Sequence, residues 1–188
     1  MRILRLLFCG FLLLGGAVVQ CVAQAPATIY LIRHAEKLYD GREDLSEAGF
    51  ARAAVLAQLF IPPAGSSLVP LERPQVLIAT HASKKSNRPV ETITPLAKAL
   101  GLLIESNIMN DDYPELAKEL LSGKYAGKIV LVSWHHGNIP ALAKALGATP
   151  PYSPWPEMQF DRIWRIDYHA GKATLTDLPQ ALMPGDSK

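Results

Sequence analysis

Three short and nearly continuous apolar runs, at residues 28–32, 75–80 and 129–133, constrain the fold of this chain most. Runs of this length are typical of strands that are buried on both faces of a parallel sheet. The alternation of strands and helices predicts an α/β fold: a three-layer sandwich with a mostly parallel central sheet flanked by helices. The helices are predicted over 45–60, a segment ending near 100, 114–121 and 139–146.

The last third of the chain has a different pattern. Residues 162–168 and 172–178 alternate between apolar and polar side chains on either side of Ala170 and Gly171, which predicts a β-hairpin. In the helix predicted over 45–60, helical spacing also predicts which apolar side chains face the core. These are Phe50, Ala54, Leu56, Leu59 and Phe60.

Residues 1–23 have the pattern of a secretory signal peptide. Arg2 and Arg5 precede an apolar stretch, and small residues lie near Ala23. Cleavage after Ala23 would leave residues 24–188 as one domain, which is an ordinary length for a single domain. We therefore expect a secreted or periplasmic protein.

Two other roles of this segment stay open. It could be retained as a transmembrane anchor, but its apolar run is on the short side of the roughly 20 residues that spanning requires. Gly15, Gly16 and Gln20 also interrupt that run. Cys21 could carry a lipid, although Gln20 stands where a small residue is expected. Cleavage is favoured over both, so we expect no stable membrane anchor in the mature protein.

Cysteine content and charge exclude two classes of function. Both cysteines lie in the N-terminal segment, so a mature domain would have neither a disulfide nor a catalytic thiol. Lysine and arginine number 19 in the whole chain and 17 without Arg2 and Arg5, against 17 aspartates and glutamates. Nucleic-acid-binding domains usually have a marked basic excess, so we expect no nucleic-acid partner.

Cationic and imidazole side chains follow each of the three apolar runs. Because the carboxyl ends of parallel strands share one edge of a sheet, we expect these side chains to gather there. Arginine offers phosphate a planar fork of donors, and neutral histidine offers a nucleophilic nitrogen. The pattern predicts a site for a multiply charged oxyanion. Its candidates are Arg33 and His34, then His81, Ser83, Lys84, Lys85 and Arg88, and then His135 and His136.

These segments resemble the signature motifs of the histidine phosphatase superfamily, the phosphoglycerate mutase-like enzymes. The resemblance extends over about residues 28–168 and implies the fold and the phosphatase activity of that family. Residues 29–36 resemble its nucleophile motif, 45–53 its first helix, 86–102 the segment with its second arginine, 130–135 the strand with its second histidine, and 160–164 a late strand.

The resemblance also implies roles for individual residues. His34 would be the nucleophile and become a phosphohistidine, while Arg33, Arg88 and His135 would bind the phosphoryl oxygens. This agrees with the chemistry, because phosphoryl transfer needs mainly positioning and charge neutralisation. Nearby guanidinium groups would also help to keep His34 neutral. We expect no metal and no other cofactor, since the cations supply the charge that Mg²⁺ would.

The general acid stays open between neighbouring carboxylates. A leaving alkoxide needs a proton, which a carboxylic acid of raised pKa can donate. Asp111 and Asp112 lie in the linker where the family often keeps its acid. Glu36 is closer to His34 in sequence, but its motif position more often supports the loop than supplies the acid. We therefore leave it out of the candidate acids and group it with the substrate-binding candidates.

Two further substrate contacts are predicted. His136 competes with His135 as the phosphate ligand, although the count from the strand favours His135. Lys84 lies in an unusually basic turn before Arg88, which would suit a substrate with additional negative charge. The segment between Arg88 and His135 is too short for a large lid, so we expect an open pocket that accepts a bulky phosphorylated molecule.

Four functions are therefore compared. The first is an exported, metal-independent phosphatase acting on a phosphorylated small molecule, lipid or phosphoprotein. The second is a non-catalytic module on the same fold that binds phosphate or phosphopeptides. A zinc site built from His34, His81, His135 and His136 is disfavoured, because two arginines in the same pocket would repel the cation. A mutase is disfavoured by export and by the short insertion.

Overall fold

The computed structural model describes residues 25–187, so the predicted signal peptide lies outside the described residues. Within this range, no helix is long and apolar enough to cross a membrane. The described strands and α-helices are β1 (Thr28–Arg33), α1 (Glu47–Val55), β2 (Val76–Ala79), α2 (Arg88–Leu100), β3 (Ile104–Glu105), α3 (Tyr113–Leu121), β4 (Ile129–Trp134), α4 (Ile139–Ala145), β5 (Arg162–His169) and β6 (Lys172–Pro179).

The strands form one six-stranded sheet in the order β3-β2-β4-β1-β5-β6. The first four strands of that order are mutually parallel, and β5 pairs antiparallel with both β1 and β6. Strand β1 therefore lies between the parallel part and the hairpin, with Arg33 opposite Trp134 of β4. The mostly parallel sheet and the C-terminal hairpin are both confirmed.

Alternation along β1 explains why helices cover both faces of the sheet. All six of its residues are buried. Ile29 and Leu31 belong to a core cluster that includes residues of α3 and α4, whereas Tyr30 and Ile32 belong to one that includes residues of α2. Successive side chains of a strand point to opposite faces, so a continuous apolar run requires an apolar layer on each side. The predicted three-layer sandwich is confirmed.

The first helix differs from its prediction. It is α-helical only as far as Val55 and continues as a 3₁₀ turn over Leu56–Leu59. Phe50 is 49% exposed, and Ala54 is exposed as well, so both were wrongly assigned to the core face. The buried side of α1 consists instead of Gly49, Arg52 and Ala53.

The reason is a close approach between α1 and the loop that follows β1. The backbone NH of Ser46 donates to the carbonyl of Glu36 at 2.9 Å, and Ser46 Oγ accepts from the NH of Gly49 at 3.1 Å as the helix N-cap. A Cβ atom on Gly49 would overlap the carbonyl oxygen of Glu36. The missing side chain therefore sets which face of α1 packs inward.

Gly49→Ala is expected to lower the free energy of unfolding by about 1–3 kcal/mol, because helix and loop would have to separate. Urea unfolding followed by circular dichroism measures the change. Gly137→Ala is the matched control, since a Cβ there would meet no atom within 4 Å. Equal stability of the two variants would show that the close approach does not constrain the fold.

Candidate active site

The structure brings the ends of β1 and β4 together, as the sequence predicts. The backbone NH of His34 continues the ladder by donating to the carbonyl of Trp134 at 3.0 Å. The rings of His34 and His135 then meet edge to face, with their centroids 5.2 Å apart. Two imidazoles, each one residue beyond its strand, form the centre of the site.

The surroundings of His34 fix which ring nitrogen carries its proton. His34 is 2% exposed, and its Nδ1 lies 2.7 Å from the carbonyl oxygen of Ala35. A carbonyl oxygen can only accept, so Nδ1 must carry the hydrogen. In the neutral ring, Nε2 then has a free lone pair, which is the tautomer that a nucleophile needs.

Helix α2 holds the other side of this loop. Thr92 Oγ1 accepts from the backbone NH of Ala35 at 2.9 Å and donates to the carbonyl of Arg88 at 2.7 Å. The first turn of α2 is thereby joined to the residue that follows His34. Sequence reasoning did not single out Thr92, whose signal is its position one turn after Arg88.

Burial keeps both imidazoles neutral. It is the largest cause that lowers the pKa of His34 well below the usual 6.5, and the fields of His135, Arg33 and Arg88 add to it, against the hydrogen bond to Ala35. Burial also lowers the pKa of His135 to about 4, with Arg88 as the next cause. Neutrality was predicted from the guanidinium groups, but desolvation contributes more than they do.

Within the part of the chain that the structure describes, the Arg33 guanidinium is hydrogen-bonded to the protein through only one of its nitrogens. It is 1% exposed, and its Nη1 donates to the carbonyls of Pro156, Glu157 and Gln159. Its guanidinium also lies 3.9 Å from the ring centroid of Phe160. Among residues 25–187, its Nε and Nη2 atoms have no hydrogen-bond partner although they are buried.

Unused donors on a buried cation favour an anionic ligand. Burial lowers the pKa of Arg33 to about 10, so the group stays charged at neutral pH. Arg88 resembles it: Nη1 donates to the carbonyl of Arg42 at 3.0 Å, and its buried Nε has no partner in the described part of the chain. Two guanidinium groups thus keep N–H donors free for an oxyanion.

The two adjacent histidines face different surroundings. His135 Nε2 lies 3.5 Å from Thr80 Oγ1, at the end of β2. His136 has a buried Nδ1 without a partner in the described range, and its pKa is lowered by burial and then by Arg33 and Lys37. His135 therefore faces His34, and His136 is turned toward the side of Arg33 and Lys37.

The predicted acids lie at the rim of the site. Asp111 and Asp112 are exposed and belong to a 3₁₀ turn at Asn110–Asp112. Asp111 Oδ1 accepts from Asn138 Nδ2 at 3.0 Å, and its charge raises the pKa of His135. The backbone NH of Asp112 donates to the carbonyl of Met109 at 3.1 Å, which closes the turn. Of the two carboxylates, Asp111 is the one linked to the segment that follows His135.

Other predicted site residues have different neighbours. The Glu36 carboxylate accepts hydrogen bonds from Arg52, and Lys84 is exposed in the turn that Ser83 and Ser86 close. His81 donates from Nδ1 to the carbonyl of Ser106 at 3.0 Å. Over residues 25–187, no group of three or more His, Cys, Asp or Glu is arranged to hold a metal ion.

No protein-family model matches this sequence, and no curated protein sequence matches it significantly. Solved structures do. A candidate alpha-ribazole-5'-P phosphatase from Escherichia coli is similar with a TM-score of 0.54 at 16% identity, over 84% of this chain and 98% of its own. A mutant phosphoserine phosphatase from Entamoeba histolytica, in complex with phosphoserine, has a TM-score of 0.55 at 12% identity, over 83% and 98%.

A third likeness is to SixA from Agrobacterium tumefaciens, a candidate phosphohistidine phosphatase. Its TM-score is 0.50 at 19% identity, over 81% of this chain and 98% of its own. At these identities the similarity concerns the backbone. The chain has the fold of the histidine phosphatases, the phosphoglycerate mutase-like fold.

The depressed pKa values predict how stability depends on pH. An unfolded histidine binds a proton near pH 6.5, whereas folded His34 and His135 resist it down to much lower pH. Below 6.5 the unfolded state therefore binds more protons. The free energy of unfolding should rise between about pH 4 and 6.5, by up to about 1.4 kcal/mol per pH unit for each histidine, and then level off.

Urea unfolding between about pH 4.5 and 7.5 spans this rise and measures it. His135→Asn is the comparison, because it removes one of the two groups without adding a charge. The free energy of unfolding of the variant should rise less steeply with pH than that of the wild type below about pH 6.5. Parallel curves would contradict a neutral, buried His135.

Proposed function

We propose that this chain is an exported, metal-independent phosphomonoesterase that forms a phosphohistidine at His34. The observation that carries the proposal is the free lone pair on Nε2 of a buried, neutral His34 beside two arginines with unpartnered N–H groups. A nucleophile and positive charge at one point are what phosphoryl transfer requires.

In the first step, Nε2 of His34 attacks phosphorus, and the N–P bond forms as the ester P–O bond breaks. The free N–H donors of Arg33 and Arg88 neutralise the negative charge of the phosphoryl oxygens. His135 adds a hydrogen bond when one of its ring N–H groups points at the phosphoryl group. Each charge-assisted hydrogen bond contributes on the order of 1.5–3 kcal/mol. The protonated Nδ1 of His34 keeps its bond to Ala35, which supports the positive charge that develops on the ring.

The leaving alkoxide takes a proton from a carboxylic acid, for which we favour Asp111. Asp111 contacts Asn138, three residues after His135, whereas Glu36 is engaged by Arg52. In the second step, Asp111 as a carboxylate accepts a proton from water, which attacks phosphorus. The N–P bond then breaks, so inorganic phosphate is released and His34 is regenerated neutral.

Metal independence is supported by the charge already present. The two guanidinium groups supply the neutralisation that a divalent cation supplies in other phosphoryl-transfer sites. Export is supported by the signal-like pattern of residues 1–23. Assaying residues 24–188 in the presence of a chelator tests metal independence, and locating the processed protein in fractionated cells tests export.

We propose a phosphorylated small molecule, lipid or phosphoprotein as the substrate. The segment from Arg88 to His135 consists of α2, β3, α3, β4 and short turns, and it has no inserted domain, which supports an approach without a large lid. Lys84 and Lys85 are exposed in the turn that leads to Arg88, where they would meet additional negative charge on a large substrate.

The first experiment measures hydrolysis of p-nitrophenyl phosphate by residues 24–188 with excess EDTA. His34→Ala should lower kcat/KM by more than about 10³-fold, because it removes the atom that forms the covalent bond. His81→Ala is the control and should retain wild-type turnover, since its Nδ1 is occupied by the carbonyl of Ser106. Full activity of His34→Ala would disprove the mechanism.

The same assay separates the remaining possibilities. With an alkyl phosphate, Asp111→Asn should lose more activity than Asp112→Asn, because a poor leaving group needs the acid most. Tight phosphate binding by calorimetry without turnover on any ester tried would identify the non-catalytic binding module instead. Turnover that EDTA abolishes would exclude metal independence.

A further inference from the structure

A buried cluster of charges lies behind the loop that follows His34, and the reaction proposed above does not use it. We call it the carboxylate clasp: Arg52 with Glu36 on one side and Asp186 on the other. Arg52 donates from Nε and Nη2 to Glu36 Oε1 at 3.0 and 2.8 Å. Its Nη1 and Nη2 donate to the two Asp186 oxygens at 3.0 and 2.8 Å.

Two of the three clasp residues are buried, and the side chain of Glu36 is 23% exposed. Arg52 and Asp186 have side chains that are 7% and 5% exposed, and Gln180 Oε1 accepts a further bond from Arg52 Nη1 at 3.2 Å. Burial alone would lower the pKa of Arg52, but the bonds to the two carboxylates outweigh it and raise the pKa. The guanidinium therefore has both its edges occupied by carboxylates.

The tail of the chain holds Asp186 in place. Its Oδ2 accepts from the backbone NH groups of Leu182 and Met183 at 2.9 and 3.0 Å, and its own NH donates to the carbonyl of Met183 at 3.1 Å. The next NH, of Ser187, donates to Asp161. Asp186 thus reaches Arg52 from a closed turn, which gives the clasp a fixed outer end.

The inner end of the clasp adjoins the nucleophile. The carbonyl that accepts the Nδ1 hydrogen of His34 belongs to the peptide bond between Ala35 and Glu36. Glu36 is held twice, by Arg52 at its carboxylate and by Ser46 at its carbonyl. The orientation of that peptide plane therefore depends on where Glu36 is held.

We propose that Arg52 and Asp186 are positioning residues that orient the Ala35–Glu36 peptide and thereby keep the proton of His34 on Nδ1. This inference rests on the proposed function in one respect: the tautomer has a catalytic consequence only if His34 is the nucleophile. The clasp acts through Glu36 and touches no reacting atom.

The energetics favour positioning over simple stabilisation. Desolvating three charged groups offsets much of their mutual attraction, so a buried ion pair often stabilises a protein no more than apolar residues of the same volume. A two-sided arginine fork does fix direction, because its planar donors match both carboxylates. In this fold, the arginine fork of Arg52 fixes the orientation of Glu36 and so of the backbone beside His34.

The test reads the tautomer directly. ¹⁵N spectra of histidine-labelled protein distinguish a protonated ring nitrogen from an unprotonated one, and the His34 signals are assigned by their loss in His34→Gln. Wild type should show hydrogen on Nδ1 alone. Asp186→Asn and Arg52→Lys should both move part of the population to Nε2, and kcat should fall by up to about 100-fold with KM little changed.

Asp167→Asn is the matched control. Asp167 also pairs with an arginine, Arg165, at 2.7 Å, but this pair is more exposed and Asp167 contacts Thr28 at the opposite end of β1. This variant should lose stability without any change in the His34 tautomer or in kcat. If Arg52→Lys does not fold, Asp186→Asn with Glu36→Gln provides the same comparison.

The outcomes separate this inference from the proposed function. An unchanged His34 spectrum in folded Asp186→Asn and Glu36→Gln would overturn the positioning role, whatever the activity. A changed spectrum in a protein without turnover would support positioning while contradicting the phosphatase proposal. A changed tautomer together with a fall in kcat supports both.

Discussion

The hydrogen bond from His34 Nδ1 to the carbonyl of Ala35 is the interaction on which the rest of the site depends. It decides which nitrogen of a buried imidazole is free to react. Several independent contacts converge on the three peptide units that follow His34. Thr92 holds the NH of Ala35, Ser46 holds the carbonyl of Glu36, and the absence of a side chain at Gly49 lets α1 reach that carbonyl.

Burial of charge is the second constraint. Arg33 is almost fully enclosed, and three carbonyls and an aromatic ring compensate one part of its guanidinium, while the other part has no partner among the described residues. A buried polar group without a partner is costly, so its persistence argues for a ligand that completes it. The same burial keeps His34 and His135 neutral. One feature, the exclusion of water, therefore favours both the binding of an anion by Arg33 and the nucleophilicity of the His34 ring.

Much of this arrangement could be predicted from the sequence, because the relevant signals are local. Apolar runs predicted β1, β2 and β4, alternation predicted the hairpin, and the residues just beyond each run indicated the edge where Arg33, His34 and His135 lie. The face of α1 was wrongly predicted, since apolar spacing gave no weight to a glycine in close contact with a backbone or to a buried arginine.

The interactions that could not be predicted join residues that are far apart in the sequence. Arg52 joins Glu36 and Asp186 across most of the chain, and no periodicity links these three positions. Likewise, Lys84 was predicted as a substrate contact from the unusually basic turn before Arg88, and Glu36 was grouped with it although its motif position more often supports the loop. In the fold, the Glu36 carboxylate binds Arg52 and Lys84 is exposed at a turn, and their roles toward a substrate stay predictions.

Trapping the phosphorylated protein during turnover tests the role of His34 most directly, because it detects the covalent intermediate itself. Residues 24–188 would be mixed with an excess of aryl phosphate, quenched with base to preserve phosphohistidine, and analysed by mass spectrometry and ³¹P spectroscopy. We expect one phosphoryl group per chain, on Nε2 of His34, and none in His34→Ala. Steady turnover with the phosphoryl group on another residue, on Nδ1, or on no residue would refute a nucleophilic His34 Nε2.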